Sequence, residues 1–401
     1  MFVNFKWQEG NQVELLINGS QFFPRVFSSI RFARHEILIE TFIIFDDEAG
    51  RELKDALLEA AARQVKIEIT VDGYGTADLD NDYIAEIKAA GINMHVYDPR
   101  PRRLGMRTNL FRRLHRKIVV VDGEVAYVGG INFGADHLPE KSQKGKQDYA
   151  VCVRGPIVND IRAAAKSLLL EHQAIQELPE LSEASPAVGE ADILLAIRDD
   201  TTHLTDIEDQ YILAIRSAIF RLIIVNPYFF PSYRIWHELI NASRRGVKVT
   251  LILQGQPSRP WTRNLSSSLY SRLLSVGVRI FEYNVRPLHG KIAIVDHDWV
   301  TVGSSNLDPL SLSLNLEANL FIRDARLNRE LYEHLADIIH NGSQEVTPEQ
   351  AAKGHWWREP FVVASFHLLR HFPHVVGWRP AHSAKIKPLT AGTSKKKRVL
   401  R

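Results

Sequence analysis

One cysteine, Cys152, stands among 401 residues. No disulfide can form within the chain, and no cysteine-based zinc site can be assembled. No run of 18 apolar residues occurs, which excludes an ordinary membrane-spanning helix. The N-terminus, MFVNFKWQEGNQVELL, lacks a basic stretch followed by a long apolar core, so a cleaved secretory leader is not expected. Acidic residues are missing from two places: residues 99–117 hold eight basic side chains and residues 381–401 hold seven, with no acid in either. Elsewhere 35 basic residues face 47 acidic ones, so the net charge of +3 conceals an acidic body with two basic patches. Such a chain meets an anionic partner locally. The rest is ordinary. Apolar residues make up 45% and charged residues 24%, the composition of a globular protein with chain enough for about two to three domains.

The chain repeats itself. In the first half, residues 23–36 have helical spacing, 37–45 (ILIETFIIF) form a β-branched run, 50–64 form an amphipathic helix, and 65–73 (VKIEITVDG) alternate like a strand. In the second half, 211–220, 221–230, 235–246 and 247–255 follow the same order. Val65-Lys66 and Val247-Lys248 are offset by 182, and Gly91 and Gly277 by 186. A period this long points to two fused half-domains rather than a solenoid. Alternating strands and helices predict an α/β fold with a largely parallel sheet in each half. The expected division is 1–175, a Pro-, Glu- and Ser-rich linker at 176–190, 191–345, and a C-terminal extension at 346–401.

Each half carries one motif, H-x-K-x4-D-x6-G-[GS]-x-N. The first copy is His115, Lys117, Asp122 and Asn132; the second is His289, Lys291, Asp296 and Asn306. LHRKIVVVD and LHGKIAIVD read as strands, which puts each His and Lys, two residues apart, on one face. The aspartates, seven residues after the histidines, point the other way at a turn and are expected to brace it. The chemistry that uses these groups is phosphodiester transfer. One histidine can attack phosphorus while the other protonates the leaving oxygen. Lys117, Lys291, Asn132 and Asn306 can hold the non-bridging oxygens, so that no metal and no other cofactor is required.

The duplicated motif resembles that of the phospholipase D superfamily, over residues 5–345. The resemblance implies two α-β-α half-domains forming one bilobal catalytic unit with a single site between them, and a phosphohistidine intermediate formed without metal. It implies His115 as nucleophile and His289 as acid then base, with the reverse assignment open. It also implies a carboxylate supporting each histidine from the opposite half: Glu317 for His115 and Asp148 for His289.

Three features favour a lipid substrate over nucleic acid. Fourteen residues separate Arg100 from His115, against two between Arg286 and His289. The longer loop carries Arg102, Arg103, Arg107, Arg112 and Arg113 among Leu104, Met106, Leu110 and Phe111, a mixture suited to anionic headgroups and acyl chains. It has few aromatics for base stacking. In residues 355–380, Trp356, Trp357 and Trp378 bracket an apolar stretch broken by charged residues and Pro373, as in a segment lying in the membrane interface. Pro373 also argues against a metal site at His367, His371 and His374. Lys395, Lys396, Lys397 and Arg398 then add attraction to anionic lipid, about 1 kcal/mol per residue near the surface. The runs YDPRP, FRRLHRKIVV, RPLHGK, TVGSSNLDPLSLSLNLEAN, HLLRHFP and GWRPAH are similar to bacterial cardiolipin synthases, the last two to their type-B branch. The resemblance implies a phosphatidyltransferase acting on phosphatidylglycerol, peripheral on the cytoplasmic side of the bacterial cell membrane. A phospholipase D or nuclease with water as acceptor, and a non-catalytic binder of anionic membranes, are the alternatives.

Overall fold

The computed structural model describes residues 6–99, 112–140, 145–171, 185–255, 270–352 and 385–389. Each half contributes seven strands. The first set is β1 (Gln8–Ile17), β2 (Glu36–Thr41), β3 (Lys66–Asp72), β4 (Asn93–Tyr97), β5 (Ile118–Val121), β6 (Val125–Gly129) and β7 (Tyr149–Arg154). The second is β8 (Ala191–Arg198), β9 (Arg221–Asn226), β10 (Lys248–Gln254), β11 (Arg279–Tyr283), β12 (Ile292–Val295), β13 (Trp299–Gly303) and β14 (Glu317–Arg323). They are hydrogen-bonded in the order β11-β10-β9-β12-β13-β14-β8-β1-β7-β6-β5-β2-β3-β4. Read outward from the β1–β8 pair, each strand of one half has its counterpart seven numbers on, so the duplication extends to every strand.

The expectation of a largely parallel sheet is corrected. Only the β2–β3–β4 and β9–β10–β11 ladders are parallel among the described residues. There a helix crosses between successive strands. The other pairings are antiparallel, because β5–β6 and β12–β13 are hairpins that turn at Asp122 and Asp296.

Alternating side chains separate two environments. Val119 and Val121 of β5 join an outer core with helices Asn18–Phe32 and Glu48–Ala62, while Ile118 and Val120 join an inner core. Ala293 and Val295 of β12 face outward in the same way, and Ile292 and Ile294 inward. The inner core draws on both halves and includes helices Ile157–Glu171 and Ala325–Gly342. The result is a helix–sheet–helix–sheet–helix stack whose central layer binds the halves together. Burying a leucine such as Leu331 there contributes about 1.5–3 kcal/mol.

Local departures have local causes. The helix expected at 23–36 runs instead from Asn18 to Phe32, with Pro24 inside it. Asn18 has φ of 60° and is tied by its backbone N–H to the Asp148 carbonyl at 2.9 Å, so a tertiary contact sets the start. The strand expected over 37–45 stops at Thr41, where the chain crosses to form a bridge between Ile44 and Phe133. Helix Glu48–Ala62 starts where Asp47 caps it, accepting from Ala49 N and Gly50 N at 3.1 and 3.2 Å.

Not all of 346–401 is available to a membrane. Ile386–Pro388 adds an antiparallel strand to the edge of β4, and Ala351 packs into the outer core of the second half. Trp356, Trp357, Trp378 and the basic tail lie outside the described residues, as do Arg102, Arg103 and Arg107.

Candidate active site

Each catalytic-motif histidine sits just before its strand, not within it. β5 begins at Ile118 and β12 at Ile292, so the histidines of segments 115–117 and 289–291 precede the ladders of their own half, where Gly129 N donates to the Lys117 carbonyl at 3.4 Å. They are paired instead with the other half. Leu114 bridges Leu316, and Leu288 bridges Gln147. His115 N donates to the Leu316 carbonyl at 2.9 Å, and His289 N to the Gln147 carbonyl at 2.8 Å. In both bridges the next residue along the partner segment is a carboxylate: Glu317 after Leu316, Asp148 after Gln147. The backbone clasp therefore delivers each histidine to a carboxylate of the opposite half. His115 Nδ1 lies 2.9 Å from Glu317 Oε2, and His289 Nδ1 lies 2.6 Å from Asp148 Oδ2. With Nδ1 committed, Nε2 of each ring is the atom open to a substrate.

The clasp has further supports that sequence reasoning missed. Asp72 Oδ2, at the end of β3, accepts from Leu114 N at 2.9 Å, and Gln254 Oε1, at the end of β10, accepts from Leu288 N. These occupy equivalent places in the duplication, 182 residues apart, which is the offset already visible in Val65 and Val247. Asn18 Oδ1 accepts from Asp148 N at 2.8 Å and holds that carboxylate's backbone. Phe133, stacked on Phe23 and Phe27, anchors the loop that carries Asn132.

Around the histidines the site is buried and cationic. Both lysines are nearly inaccessible, at 5% for Lys117 and 1% for Lys291. Lys117 Nζ donates to the His115 carbonyl at 2.7 Å, and Lys291 Nζ donates to the His289 carbonyl. Burial pulls Lys117 down to about 7 and Lys291 to about 8, against the attraction of Glu317 and Asp148. His115 is lowered to about 4, mainly by burial, with Glu317 opposing the shift. His289 is held well below its ordinary value by burial and then by Lys291, whose Nζ lies 3.1 Å from His289 Nδ1. Burial alone would raise Glu317, but His115, Lys117 and the Ser304 hydroxyl keep it below the ordinary glutamate value. Burial thus favours the neutral form of both rings. A bound phosphodiester anion would supply negative charge that favours the protonated form of a ring beside it.

The side-chain oxygens of Asn132 and Asn306 are buried and have no partner among the described residues. Arg113 stacks over Tyr74 at 4.2 Å and over Phe42 at 5.7 Å, while Phe42 also meets the edge of the His115 ring at 5.3 Å. Arg112 has φ of 65° at the edge of the described segment.

Two motif residues stand outside the site. Asp122 and Asp296 close the far ends of β5 and β12, about 13 Å along a four-residue strand, and so stand apart from the histidines and lysines of their own motifs. Asp122 accepts from the backbone N–H groups of Arg34, His35 and Glu36 at 2.8, 2.7 and 3.0 Å. Asp296 accepts from Ile219, Phe220 and Arg221 at 3.0, 2.7 and 3.0 Å. Both are in the left-handed region, with φ of 53° and 47°, which aspartate tolerates. Each ties the entry of β2 or β9 to its hairpin. Asp122→Asn is accordingly expected to lower unfolding free energy by about 1–3 kcal/mol in a urea titration, with kcat per folded molecule unchanged.

His137 was also missed. It is fully buried beside Asp148 and His289. The three side chains bring ligand-type atoms within 4.8 Å of one another, the one such group among the described residues. The 2.6 Å His289–Asp148 bond accounts for that spacing, and His137 Nε2 is turned onto the Asn132 backbone N–H at 3.4 Å. This is a hydrogen-bonded set rather than an open coordination shell.

A duplicated α/β unit with two H-x-K-x4-D segments meeting at one seam defines an enzyme of the phospholipase D type. The family model described as cardiolipin synthase, phospholipase D-like domain, matches residues 26–166 and 211–339, and the chain belongs to that family. It is 48% identical to cardiolipin synthase B of Salmonella typhimurium, over 94% of this chain and 92% of the relative. It is 47% identical to cardiolipin synthase B of Escherichia coli, over 95% and 93%. Cardiolipin synthase A of Pseudomonas fluorescens is 37% identical, over 84% and 71%. The fold is shared with phosphatidylserine synthase of Haemophilus influenzae, at a TM-score of 0.68, 16% identity and coverage of 92% and 97%. Polyphosphate kinase of Porphyromonas gingivalis matches at a TM-score of 0.55, 13% identity and coverage of 89% and 56%.

Proposed function

We propose that this enzyme makes cardiolipin by transferring a phosphatidyl group between two phosphatidylglycerol molecules. The observation that carries the mechanism is the crosswise pairing, in which each histidine is oriented by a carboxylate of the other half. His115 Nε2 attacks phosphorus of the first phosphatidylglycerol. The bond from phosphorus to the glycerol oxygen breaks, and His289 gives that oxygen a proton. Phosphatidyl-histidine remains. His289, now neutral, takes the proton of a hydroxyl on the second phosphatidylglycerol, whose oxygen attacks phosphorus as the P–N bond breaks. Lys117 and Lys291 neutralise the non-bridging oxygens throughout, with Asn132 and Asn306 as additional donors.

The Trp-flanked, basic C-terminal sequence supports peripheral attachment to an anionic membrane surface, and we propose the cytoplasmic face as the site of action. There Arg102, Arg103, Arg107, Arg112 and Arg113 would meet the headgroups. The decisive experiment incubates the protein with phosphatidylglycerol vesicles, with and without EDTA, and identifies products by lipid chromatography. Cardiolipin and free glycerol are expected in both. Phosphatidic acid as the sole product would replace the lipid acceptor with water, and loss of turnover in EDTA restored by a divalent cation would overturn the metal-free scheme.

The lowered lysines give a pH dependence. Above pH 7–8 the free enzyme loses the ammonium charge of Lys117 and then Lys291. The profile of kcat/KM, which reports free enzyme, is expected to fall on its alkaline side from about pH 7. The kcat profile should hold to higher pH, since bound phosphate favours both charges. Coincident alkaline limbs for kcat and kcat/KM would contradict this.

A further inference from the structure

The two carboxylates at the seam are braced differently. Glu317 Oε2 accepts from His115 Nδ1 and from the Ser304 hydroxyl, and Oε1 accepts from Asn315 Nδ2 at 3.3 Å. In the other half the position of Ser304 is taken by Gly130. A Cβ there would lie 2.3 Å from Asp148 Oδ1, so no side chain fits and no hydroxyl can serve Asp148. Its Oδ1 accepts from Tyr149 N at 2.9 Å, and its Oδ2 from His289 Nδ1 at 2.6 Å. His137 Nδ1 also lies 3.5 Å from Oδ2.

The tautomer of His137 follows from its other nitrogen. Nε2 faces the Asn132 backbone N–H at 3.4 Å, and a nitrogen that accepts carries no proton. The neutral ring therefore bears its hydrogen on Nδ1, which has no other hydrogen-bond partner among the described residues and points at Asp148 Oδ2. A movement of about half an ångström turns that approach into an ordinary hydrogen bond. The two rings meet edge to face at a centroid distance of 5.6 Å. The His137 carbonyl lies 2.7 Å from where a Cβ on Gly19 would stand, beside the Asn18 that grips Asp148. The backbone of His137 is thus closely packed, and its side chain is fully buried.

We propose that His137 is a positioning residue for His289, donating its Nδ1 hydrogen to the Asp148 oxygen that His289 also uses. A second donor on Oδ2 makes Asp148 a weaker acceptor. His289 is then less strongly held in its protonated form and releases its proton more readily in each half-reaction. The histidine assigned to attack phosphorus has no such partner: its carboxylate is braced by a hydroxyl and an amide, neither of which titrates near neutrality. Charged and titratable groups facing the pair are Asp136, Lys146, Asp148 and Lys291 at His137, and Lys117, Lys146, Lys291, His115 and Asp148 at His289. Lys146 is itself paired with Asp136. None of these is altered by substituting His137. The kinetic consequence rests on the transferase reading; the effect on His289 itself does not.

The test compares three substitutions in the full chain. His137→Phe keeps an aromatic ring and removes the donor. His137→Asn places an amide N–H where Nδ1 stood, and His137→Gln places one where Nε2 stood. The readouts are the His289 titration midpoint, followed by NMR of ¹⁵N-labelled histidine, and the pH profile of kcat on phosphatidylglycerol vesicles. In His137→Phe the His289 midpoint is expected to rise by about one unit, and kcat to fall about 10- to 100-fold, with its pH limb moving the same way. His137→Asn should stay within about threefold of wild type with the midpoint unmoved, and His137→Gln should resemble Phe. Should the Phe variant fail to fold, the Asn–Gln contrast decides. An unmoved His289 midpoint in His137→Phe, or equal behaviour of Asn and Gln, would overturn the proposal. The NMR titration needs no turnover, so absence of cardiolipin synthesis in wild type would count against the transferase reading and leave this inference standing or falling on its own.

Discussion

His115→Ala is expected to remove essentially all transfer, a loss of at least about 10⁴-fold in kcat, and to leave no lipid bound to the protein. His289→Ala should lose turnover to a similar extent by a different route. The nucleophile is intact, so the protein incubated with radiolabelled phosphatidylglycerol should slowly acquire label, limited by departure of an unprotonated glycerol oxygen. That bond should survive denaturation in base and break in acid. The physical basis is the neutral state of His115, lowered to about 4, with Nδ1 engaged by Glu317 and Nε2 free to attack. Label on the His115→Ala protein and none on His289→Ala would exchange the two roles.

Glu317→Gln is the second large effect. The carboxylate does not touch the substrate, yet the 2.9 Å bond to His115 Nδ1 decides which ring nitrogen carries the hydrogen. A glutamine can turn its amide N–H toward Nδ1. That favours the tautomer with hydrogen on Nε2, the atom that has to attack. A fall in kcat of about 10³- to 10⁴-fold is expected, with KM changed far less. Adding His115→Ala to Glu317→Gln should cost nothing beyond His115→Ala alone, because both act through one atom. Additive losses would show that Glu317 acts by some path other than His115, such as holding the Ser304 loop. Both variants should unfold near the wild-type urea midpoint for the comparison to be read this way.

Much of this site was legible in the sequence because chemistry was written in residue types at fixed spacing. His115, Lys117, His289 and Lys291 could be found from the motif alone, and the β-branched run Ile118 through Val121 correctly indicated a strand. The strand's start could not be found. Leu114 to Lys117 run straight into the apolar strand and read as part of the same ladder, but Leu114 is bridged to Leu316 of the other half, which no local pattern records. Asp148 and Glu317 carry no signal of their own in KQDYAV and NLEANL; they came only through family resemblance. Asp72, Gln254 and Asn18 act by receiving or giving backbone hydrogen bonds, and such roles leave no trace in composition. His137 sits in ADHL with nothing to mark it. Its importance arises from where helix Asn18–Phe32 begins. The sheet was misjudged for a related reason. Helix–strand alternation reads as a largely parallel sheet, although the motif itself turns back at its aspartate and adds an antiparallel hairpin.

The joining of two half-domains in a single chain has a further consequence. Were the halves separate identical chains related by a two-fold axis, whatever stood beside one histidine would stand beside the other. The site would have two equal rings, and its choice of nucleophile would be arbitrary. One continuous chain lifts that constraint. Ser304 can answer Gly130, and Arg116 can answer Gly290, where the Tyr149 ring lies 2.5 Å from the place of a Cβ. Each departure from symmetry is then inherited at one dyad alone. Covalent fusion is thus what permits two histidines of common origin to take up unequal work.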